Sequence, residues 1–306
     1  MKQVTLLLLT LPIWIFSQNI VFTDPALKAK LLQSAPSNII AQDTSGNFIA
    51  IDSNDDNEIS LDEALQIAKL RIPSSNITSL NDLQYFPNLT MVDADYNTLS
   101  SLSLINLNYL VDFSSKWSSI ETIDISGAPN LVSLILNNNN ITAINLSNNS
   151  KLQTLNLDTN FLTSINLQNN TDLKYFFASY TMINTVDFTN NSALISVIMQ
   201  NGELETVLFG SEYPTFKNLN LSFNQLAGLN VSGLQALEKL LVSYNNLINL
   251  DTSQNFNLHE LTVTGNVLEY LNLKNGHNIT TGTENFINYQ DNPIQIICAD
   301  ENEIFN

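Results

Sequence analysis

The sequence predicts a solenoid of stacked coils, on the strength of a fixed repeat period and of the apolar pattern within each repeat. A leucine or phenylalanine returns every 21 residues over nine units, with a single interval of 22. A fixed period of this size is typical of proteins whose units pack only against their neighbours. The register residues are Leu89, Leu110, Leu131, Leu152, Leu173, Leu194, Phe216, Leu237 and Leu258.

The pattern inside the unit indicates which kind of solenoid this is. The unit beginning at Leu152 reads LQTLNLDTNFLTSINLQNNTD, or L-x-x-L-x-L-x-x-N-x-L-x-x-I-x-L. That pattern and period are those of a leucine-rich repeat. Positions 4 and 6 alternate as in a short strand, and positions 14 and 16 alternate without a helical period. We therefore expect a leucine-rich repeat solenoid, β-dominated within the α/β class. It should have a parallel concave sheet and short convex strands or extended segments.

Asparagine at position 9 is predicted to be structural. It should turn the chain out of the strand and bond the backbone of neighbouring coils through its buried amide. The column consists of Asn97, Asn139, Asn160, Asn224, Asn245 and Asn266, and it is interrupted at Ser118, Thr181 and Gly202.

The chain divides into four predicted segments. Residues 1–18 are a signal peptide, because the apolar run from Val4 to Phe16 is about 13 residues long, too short to span a bilayer. Residues 19–88 are a small helical N-terminal cap with a divergent first repeat, 89–273 hold nine repeats, and 274–306 form a C-terminal cap. In the N-terminal cap we expect one helix after Asp24-Pro25 and an amphipathic helix over Leu61–Leu70. The protein should be secreted, with possible display at the cell surface, and should have no transmembrane segment.

Charge restricts the partners. The 29 acidic and 11 basic residues give a formal net charge of −18. Nucleic acid and anionic lipid are both disfavoured, since each requires a basic surface. The single cysteine, Cys298, rules out an internal disulfide framework. It is either a small buried residue or the site of an intermolecular bond.

An acidic segment in the N-terminal cap matches the twelve-residue calcium loop of an EF-hand. Every ligand position carries oxygen, with the backbone carbonyl used at position 7 and a bidentate carboxylate at position 12. Asn57 stands where glycine is usual, and asparagine tolerates the left-handed backbone needed there. The alternative is a solvated acidic turn without metal. The predicted Ca²⁺ ligands are Asp52, Asn54, Asp56, Glu58, Ser60 and Glu63.

Large residues at the outward positions of the concave face are the predicted contacts for a protein or glycan partner. Folding does not require them, and exposed aromatic clusters are typical of binding hot spots. The alternative for position 8 is that its aromatic rings pack over the edge of the repeat. The predicted partner-binding residues are Trp117, Ile135, Tyr175, Phe177, Tyr180 and Ile198.

Catalysis is not predicted. The two histidines, His259 and His277, are far from Cys298 in repeat register, and the carboxylates are scattered. There is no glycine-rich phosphate loop and no metal-hydrolase helix.

The repeat LQTLNLDTNFLTSINLQNN, the loop DSNDDNEISLDEA and the end segments LNLKNGHN and DNPIQIICADE together resemble the secreted leucine-rich repeat proteins of the Bacteroidota. The resemblance covers nearly all of the mature chain. Taken together with the residues above, it leads us to expect an exported, calcium-stabilised module that binds a protein or glycan on its concave face. We also expect a monomer. The alternative is a non-catalytic structural or recruiting domain of a larger secreted protein or enzyme.

Overall fold

A computed structural model describes residues 18–276 and 286–300. The predicted signal peptide lies outside the described residues except for its last position. Within the described residues, no helix is long and apolar enough to cross a membrane.

In the described residues, the concave side is a 12-stranded sheet. The first two strands pair antiparallel, and the others pair parallel to their neighbours. Equivalent positions of successive units lie opposite each other, as Leu155 does with Phe176. In order, the strands are Ala41–Asp43, Ile67–Arg71, Met91–Asp93, Asp112–Ser114, Ser133–Ile135, Thr154–Asn156, Tyr175–Phe177, Ser196–Ile198, Asn218–Asn220, Lys239–Leu241, Glu260–Thr262 and Phe286–Asn288.

In the part of the chain that the structure describes, the convex side carries short parallel strands in three separate groups. Positions 4, 6, 11 and 16 of the units fill the space between the two sides, and Leu155, Leu157, Leu162 and Leu167 are at most 1% exposed. The predicted fold class, a β-dominated leucine-rich repeat solenoid, is confirmed. The convex strands are Ser101–Ser103 with Thr122–Asp124, Thr185–Asp187 with Thr206–Leu208, and Asn249–Asp251 with Tyr270–Asn272 and Ile296–Cys298.

The N-terminal cap differs from its prediction at the second helix. The first helix, Pro25–Leu31, begins at the expected N-cap Asp24. The predicted helix over Leu61–Leu70 is wrong: helix ends at Ala64, and the strand Ile67–Arg71 follows. That strand has partners on both sides, so inter-strand hydrogen bonds outweigh the local helical pattern. Residues 81–85 form a short 3₁₀ helix.

The C-terminal segment also differs from its prediction. Residues 274–306 were expected to lack the repeat, yet the strand Phe286–Asn288 continues the concave sheet, with Ile287 opposite Leu261. The repeat is hidden in the sequence because this interval is 26 residues long instead of 21. Asn292 bonds Val263 and Tyr289 carbonyls and accepts from Leu268, as a position-9 asparagine does.

Two asparagine columns, not one, join the coils. The position-9 column is buried and bonded as predicted. A second column at position 19 was missed, and its members are fully buried. Each of their amide groups donates to two carbonyls of the preceding coil, while the Oδ1 atom accepts no hydrogen bond from the described residues. The members with this pattern are Asn149, Asn170, Asn191 and Asn255.

Candidate functional site on the concave face and its edge

The centre of the concave face is apolar and accessible. The strand Tyr175–Phe177 buries Phe176 completely and turns its two neighbours outward, where Tyr175 is 39% exposed and Phe177 is partly exposed. Ile198 lies beside Phe177 in the next strand. The alternation of a strand thus places three of the predicted contacts together.

The other predicted contacts are more distant. Ile135 lies in the same column as Phe177 but is separated from it by Asn156. Trp117 lies three coils from Tyr180 at the same repeat position. The six predicted residues therefore form a central group and an N-terminal extension, not one compact patch.

Position 8 forms an edge along one side of the concave sheet, hereafter the aromatic edge. In each of the nine units this residue has a left-handed backbone, with φ between 52° and 68°. Asparagine and glycine adopt this conformation readily, whereas bulky residues do so at a cost. Five of the nine positions are nevertheless aromatic: Tyr96, Trp117, Tyr180, Phe223 and Tyr244.

These rings both pack and remain accessible. Tyr96 stacks on Trp117, with centroids 6.4 Å apart and planes at 5°, and Phe223 stacks on Tyr244 at 4.6 Å and 18°. Tyr244 also covers Gly265, where a Cβ atom would lie 2.7 Å from the ring. All five side chains are still 48–57% exposed. The rings therefore pack over the edge of the repeat, as the alternative for position 8 expects, and partner binding by their exposed surface stays a prediction.

Three apolar residues beside the edge were missed. Phe161, Met182 and Val267 are 51%, 37% and 47% exposed, all at position 10, two residues after the position-8 residue of their units. Only their departure from the polar residues at position 10 of the other units, such as Thr98 and Ser119, signals them in the sequence.

Charge differs along the concave face. Near its N-terminal end, Lys116 pairs with Asp95 at 2.9 Å, and the hydrogen bond that Lys116 donates to the Asp95 carboxylate raises the pKa of Lys116. A cavity of about 220 Å³ beside this pair is also lined by Asp93 and Asp112. In the centre, partial burial raises the pKa of the Asp158 carboxyl.

The acidic loop is closed by its own hydrogen bonds. Asp52 accepts from the N–H groups of Asp56 and Asn57, and Asn57 is left-handed with φ of 63°, as predicted. Asn54 accepts from Asp56 N–H. The Glu58 carboxylate pairs with Lys28 at 2.7 Å. The backbone carbonyl of Glu58, which is the predicted calcium ligand at position 7, does not take part in this ion pair.

Glu63 is the feature that does not fit a bound cation. Its Oε1 accepts from the N–H and hydroxyl of Ser53, and its Oε2 accepts from the N–H and hydroxyl of Ser60. Four donors occupy the roughly four lone-pair sites of a carboxylate. Among the described residues, no three His, Cys, Asp or Glu side chains come together as a metal cage. Calcium binding stays a prediction, and it requires Glu63 to exchange partners.

Groups with catalytic potential are dispersed. His259 contacts the Asn257 carbonyl at 3.1 Å through Nδ1, and Cys298 is partly buried beside Tyr270. The other histidine, His277, lies outside the described residues.

Comparisons with known proteins support the fold. No family model matches the chain, and no curated protein matches it. The leucine-rich repeat domain of APL1B is similar in structure, with a TM-score of 0.57 and 16% identity, covering 74% of this chain and 70% of that one. The LRIM1/APL1C complex is similar with a TM-score of 0.59 and 20% identity, covering 70% of this chain and 42% of that chain. A leucine-rich repeat protein of Leptospira interrogans is similar with a TM-score of 0.52 and 20% identity, covering 77% of this chain and 75% of that chain. At these identities the likeness establishes the fold alone.

Proposed function

We propose that this chain is a secreted, non-catalytic module that binds a protein partner through the centre of its concave face. The observation that carries the proposal is the outward placement of Tyr175 and Phe177 on either side of the buried Phe176. A strand needs only one of its faces apolar when the other is solvated. The second apolar face is therefore available for a partner.

Neighbouring residues support the same surface. Ile198 extends the apolar centre by one strand, and Tyr180 borders it at the aromatic edge with 57% of its surface exposed. Aromatic residues in the middle of a surface are the residue types that dominate binding energy at interfaces. A glycan could use the same rings, so it is an outcome of the test below.

The test is capture by the immobilised mature protein from surface extracts of its own cells. We expect saturable binding of a defined protein, which Phe177→Ser should weaken while Leu208→Ser does not. Leu208 is an exposed apolar residue on the convex side and serves as the matched control. Treating the extract with glycosidases separates a protein partner from a glycan. Binding that both variants retain would contradict the concave-face proposal.

Absence of any saturable partner would favour the alternative, a structural or recruiting domain of a larger secreted protein. Secretion itself is tested by following the full-length chain in its own cells, where residues 1–18 should be absent from the exported form. Analytical ultracentrifugation of the mature chain tests the proposed monomer.

We propose, separately, that the loop 52–63 binds Ca²⁺. The spacing of its oxygen donors and the left-handed Asn57 support this. Calorimetric titration should give saturable heat with the native protein and with Asp55→Asn, and none with Asp56→Ala. Both changes remove one charge, but only the second removes a predicted ligand. No heat from the native protein would leave Glu63 as a purely structural carboxylate.

A further inference from the structure

The convex side loses its strand pairing in the middle of the chain. Counted from Leu89, units one and two are joined there by paired strands, and so are units five and six. Units three and four, which begin at Leu131 and Leu152, are hereafter the unpaired region. In it, the backbone N–H groups of residues 142–146 and 163–167 donate to no backbone carbonyl of the described residues. The concave sheet nevertheless continues unbroken through the same coils.

The residue at position 13 explains the loss of pairing. β-Branched and aromatic residues favour a strand, whereas alanine and glycine disfavour it. The unpaired region has Ala143 and Ser164 at this position, and both are exposed. Each group of paired convex strands has at least one threonine, tyrosine or isoleucine at this position, and these residues are Thr122, Thr185, Thr206, Tyr270 and Ile296.

Side-chain amides take the place of the missing strands at one end of each convex segment. Asn149, Asn170 and Asn191 donate to carbonyls of the preceding coil at 2.8–3.3 Å. At the other end, the Phe161 N–H donates to the Ile141 carbonyl. Hydrogen bonds therefore hold these coils at the ends of the convex segment, and no backbone bond among the described residues holds them along it.

Open space lies between the same coils on the convex side. A cavity of about 230 Å³ is lined by Ile165, Gln168 and Asp187, among others. A smaller cavity of about 60 Å³ is lined by Ile144 and Asn166, among others. Atoms that face a gap have no contact partner across it, so little resists a change in the spacing of these segments.

Unit seven also lacks a convex strand, but it is packed closely against unit six. The Tyr213 N–H donates to the Gly233 carbonyl, and a Cβ atom on Gly233 would lie 2.4 Å from the Gly210 carbonyl oxygen. The unpaired region differs because missing strand pairs and open space occur there together.

We propose that the solenoid bends at the unpaired region, where the spacing of the convex segments changes while the concave sheet keeps its hydrogen bonds. Segments with few restraining contacts are those that move most readily, and small shifts between packed elements are an established kind of conformational change. Trp117 precedes the unpaired region and Phe177 follows it, so bending changes the distance between the N-terminal extension and the central group of predicted contacts. The inference concerns the fold alone, and its failure would leave the concave-face proposal standing.

Double electron–electron resonance between spin-labelled cysteines measures the bend, in mature protein that carries Cys298→Ser. One labelled pair, Glu121→Cys with Asn184→Cys, spans the unpaired region on the convex side. The reference pair, Val111→Cys with Lys174→Cys, joins the same two units beside the concave sheet. We expect the distance distribution of the convex pair to be about twofold wider than that of the reference pair. Equal widths would overturn the proposal.

Variants of the convex-labelled protein then separate bending from motion of the labels. Ala143→Thr combined with Ser164→Thr should narrow the distribution, because threonine favours the missing strands. Asn170→Leu should widen it by removing two amide bonds within the unpaired region. Asn255→Leu, the matched control, removes two equivalent bonds between units seven and eight and should not widen it. A width that the threonine variant leaves unchanged, or that the two leucine variants affect equally, would overturn the proposal.

Discussion

The solenoid body and the N-terminal cap are joined by different chemical groups. In the body, the Asn245 amide donates to the carbonyls of Leu221 and Val242 at 2.9 and 3.1 Å and accepts from the Leu226 N–H at 3.0 Å. One side chain therefore bonds its own coil to the preceding coil both as a hydrogen-bond donor and as an acceptor.

The cap relies on carboxylates. Asp24 accepts from the N–H groups of Leu27, Thr78 and Ser79, and it is 3% exposed. Asp82 accepts from Thr23 and Asp24, and it is 2% exposed. Together with Glu63, these carboxylates accept hydrogen bonds from irregular chain segments that, unlike the repeats, have no equivalent elsewhere in the described chain.

The difference follows from donor and acceptor capacity. A carboxylate only accepts, so it can collect several N–H groups at a place where donors exceed acceptors. An amide does both, and a repeating stack needs both at each coil. A periodic structure is therefore joined by amides, and its terminus can be joined by carboxylates.

Removing an amide from the body should have the largest effect. Asn245→Ala leaves the buried Leu226 N–H without its partner, and it removes one of two amide donors from each of the Leu221 and Val242 carbonyls, which Asn224 and Asn266 still bond. At about 1–3 kcal/mol for the unpaired N–H and about 1 kcal/mol for each lost bond, we expect a loss of roughly 3 kcal/mol in the free energy of unfolding. Urea denaturation measures it. Asn246→Ala, at an exposed neighbour, is the control and should change little. A small effect at both sites would mean that the coils do not depend on the amide.

Asp24→Asn should come next and act locally. The substitution keeps one oxygen but places an NH₂ group among N–H donors, which costs about 1–3 kcal/mol. Hydrogen exchange should accelerate in residues 20–34 and leave the central coils unchanged. Asp55→Asn, an exposed carboxylate of the cap, is the control. Uniform acceleration along the chain would show that cap and body unfold together.

Acid should open the cap before the body. Burial raises the pKa of Asp24 and Glu63, but hydrogen bonds outweigh burial and hold both pKa values below the ordinary range. The stability they confer is present above about pH 4 and is lost as the pH falls through the lowered values. The asparagine columns do not titrate. Methyl NMR spectra recorded toward low pH should show changes at Leu27 and Leu31 before Leu155. Simultaneous change at all three would contradict the distinction.

The second asparagine column should tolerate substitution better. Asn170→Leu removes two donated hydrogen bonds but also removes a buried Oδ1 that has no described partner. The chain itself has Leu107 and Leu234 at this position, both buried. We expect a loss of about 1 kcal/mol, clearly less than at position 9. An effect as large as that of Asn245→Ala would mean that both columns are equivalent.

Tyr180→Asn should have the smallest effect on stability, within about 0.5 kcal/mol, because relief of the left-handed strain offsets the lost ring contacts. Thermal unfolding measures it. Tyr244→Asn is the informative comparison, since it also uncovers Gly265 and Phe223 and should destabilise more.

The periodic part of the fold could be predicted from the sequence because period, strand and burial coincide at Leu155 and its equivalents. Two features could not be predicted. The strand Ile67–Arg71 is set by partners far along the chain, and Leu65, expected on a buried helical face, is 43% exposed. The last coil could not be recognised because it follows the preceding strand after 26 residues instead of 21.

At the candidate site, the sequence indicated which side chains face outward but not their backbone state. The repeat register locates Tyr180 in the turn that follows the concave strand, yet nothing in a tyrosine indicates positive φ. Likewise, the spacing of the acidic loop predicts Glu63 as a ligand, but its saturation by Ser53 and Ser60 depends on side-chain positions.

The in-register pairing of consecutive units has a mechanical consequence. Each coil is bonded only to its two neighbours. A pulling force applied at the C-terminal end would therefore unfold the coils one after another. Every 21-residue step would release about 70 Å of chain. A solenoid built in this way would extend severalfold under load while its remaining coils keep their concave sheet intact.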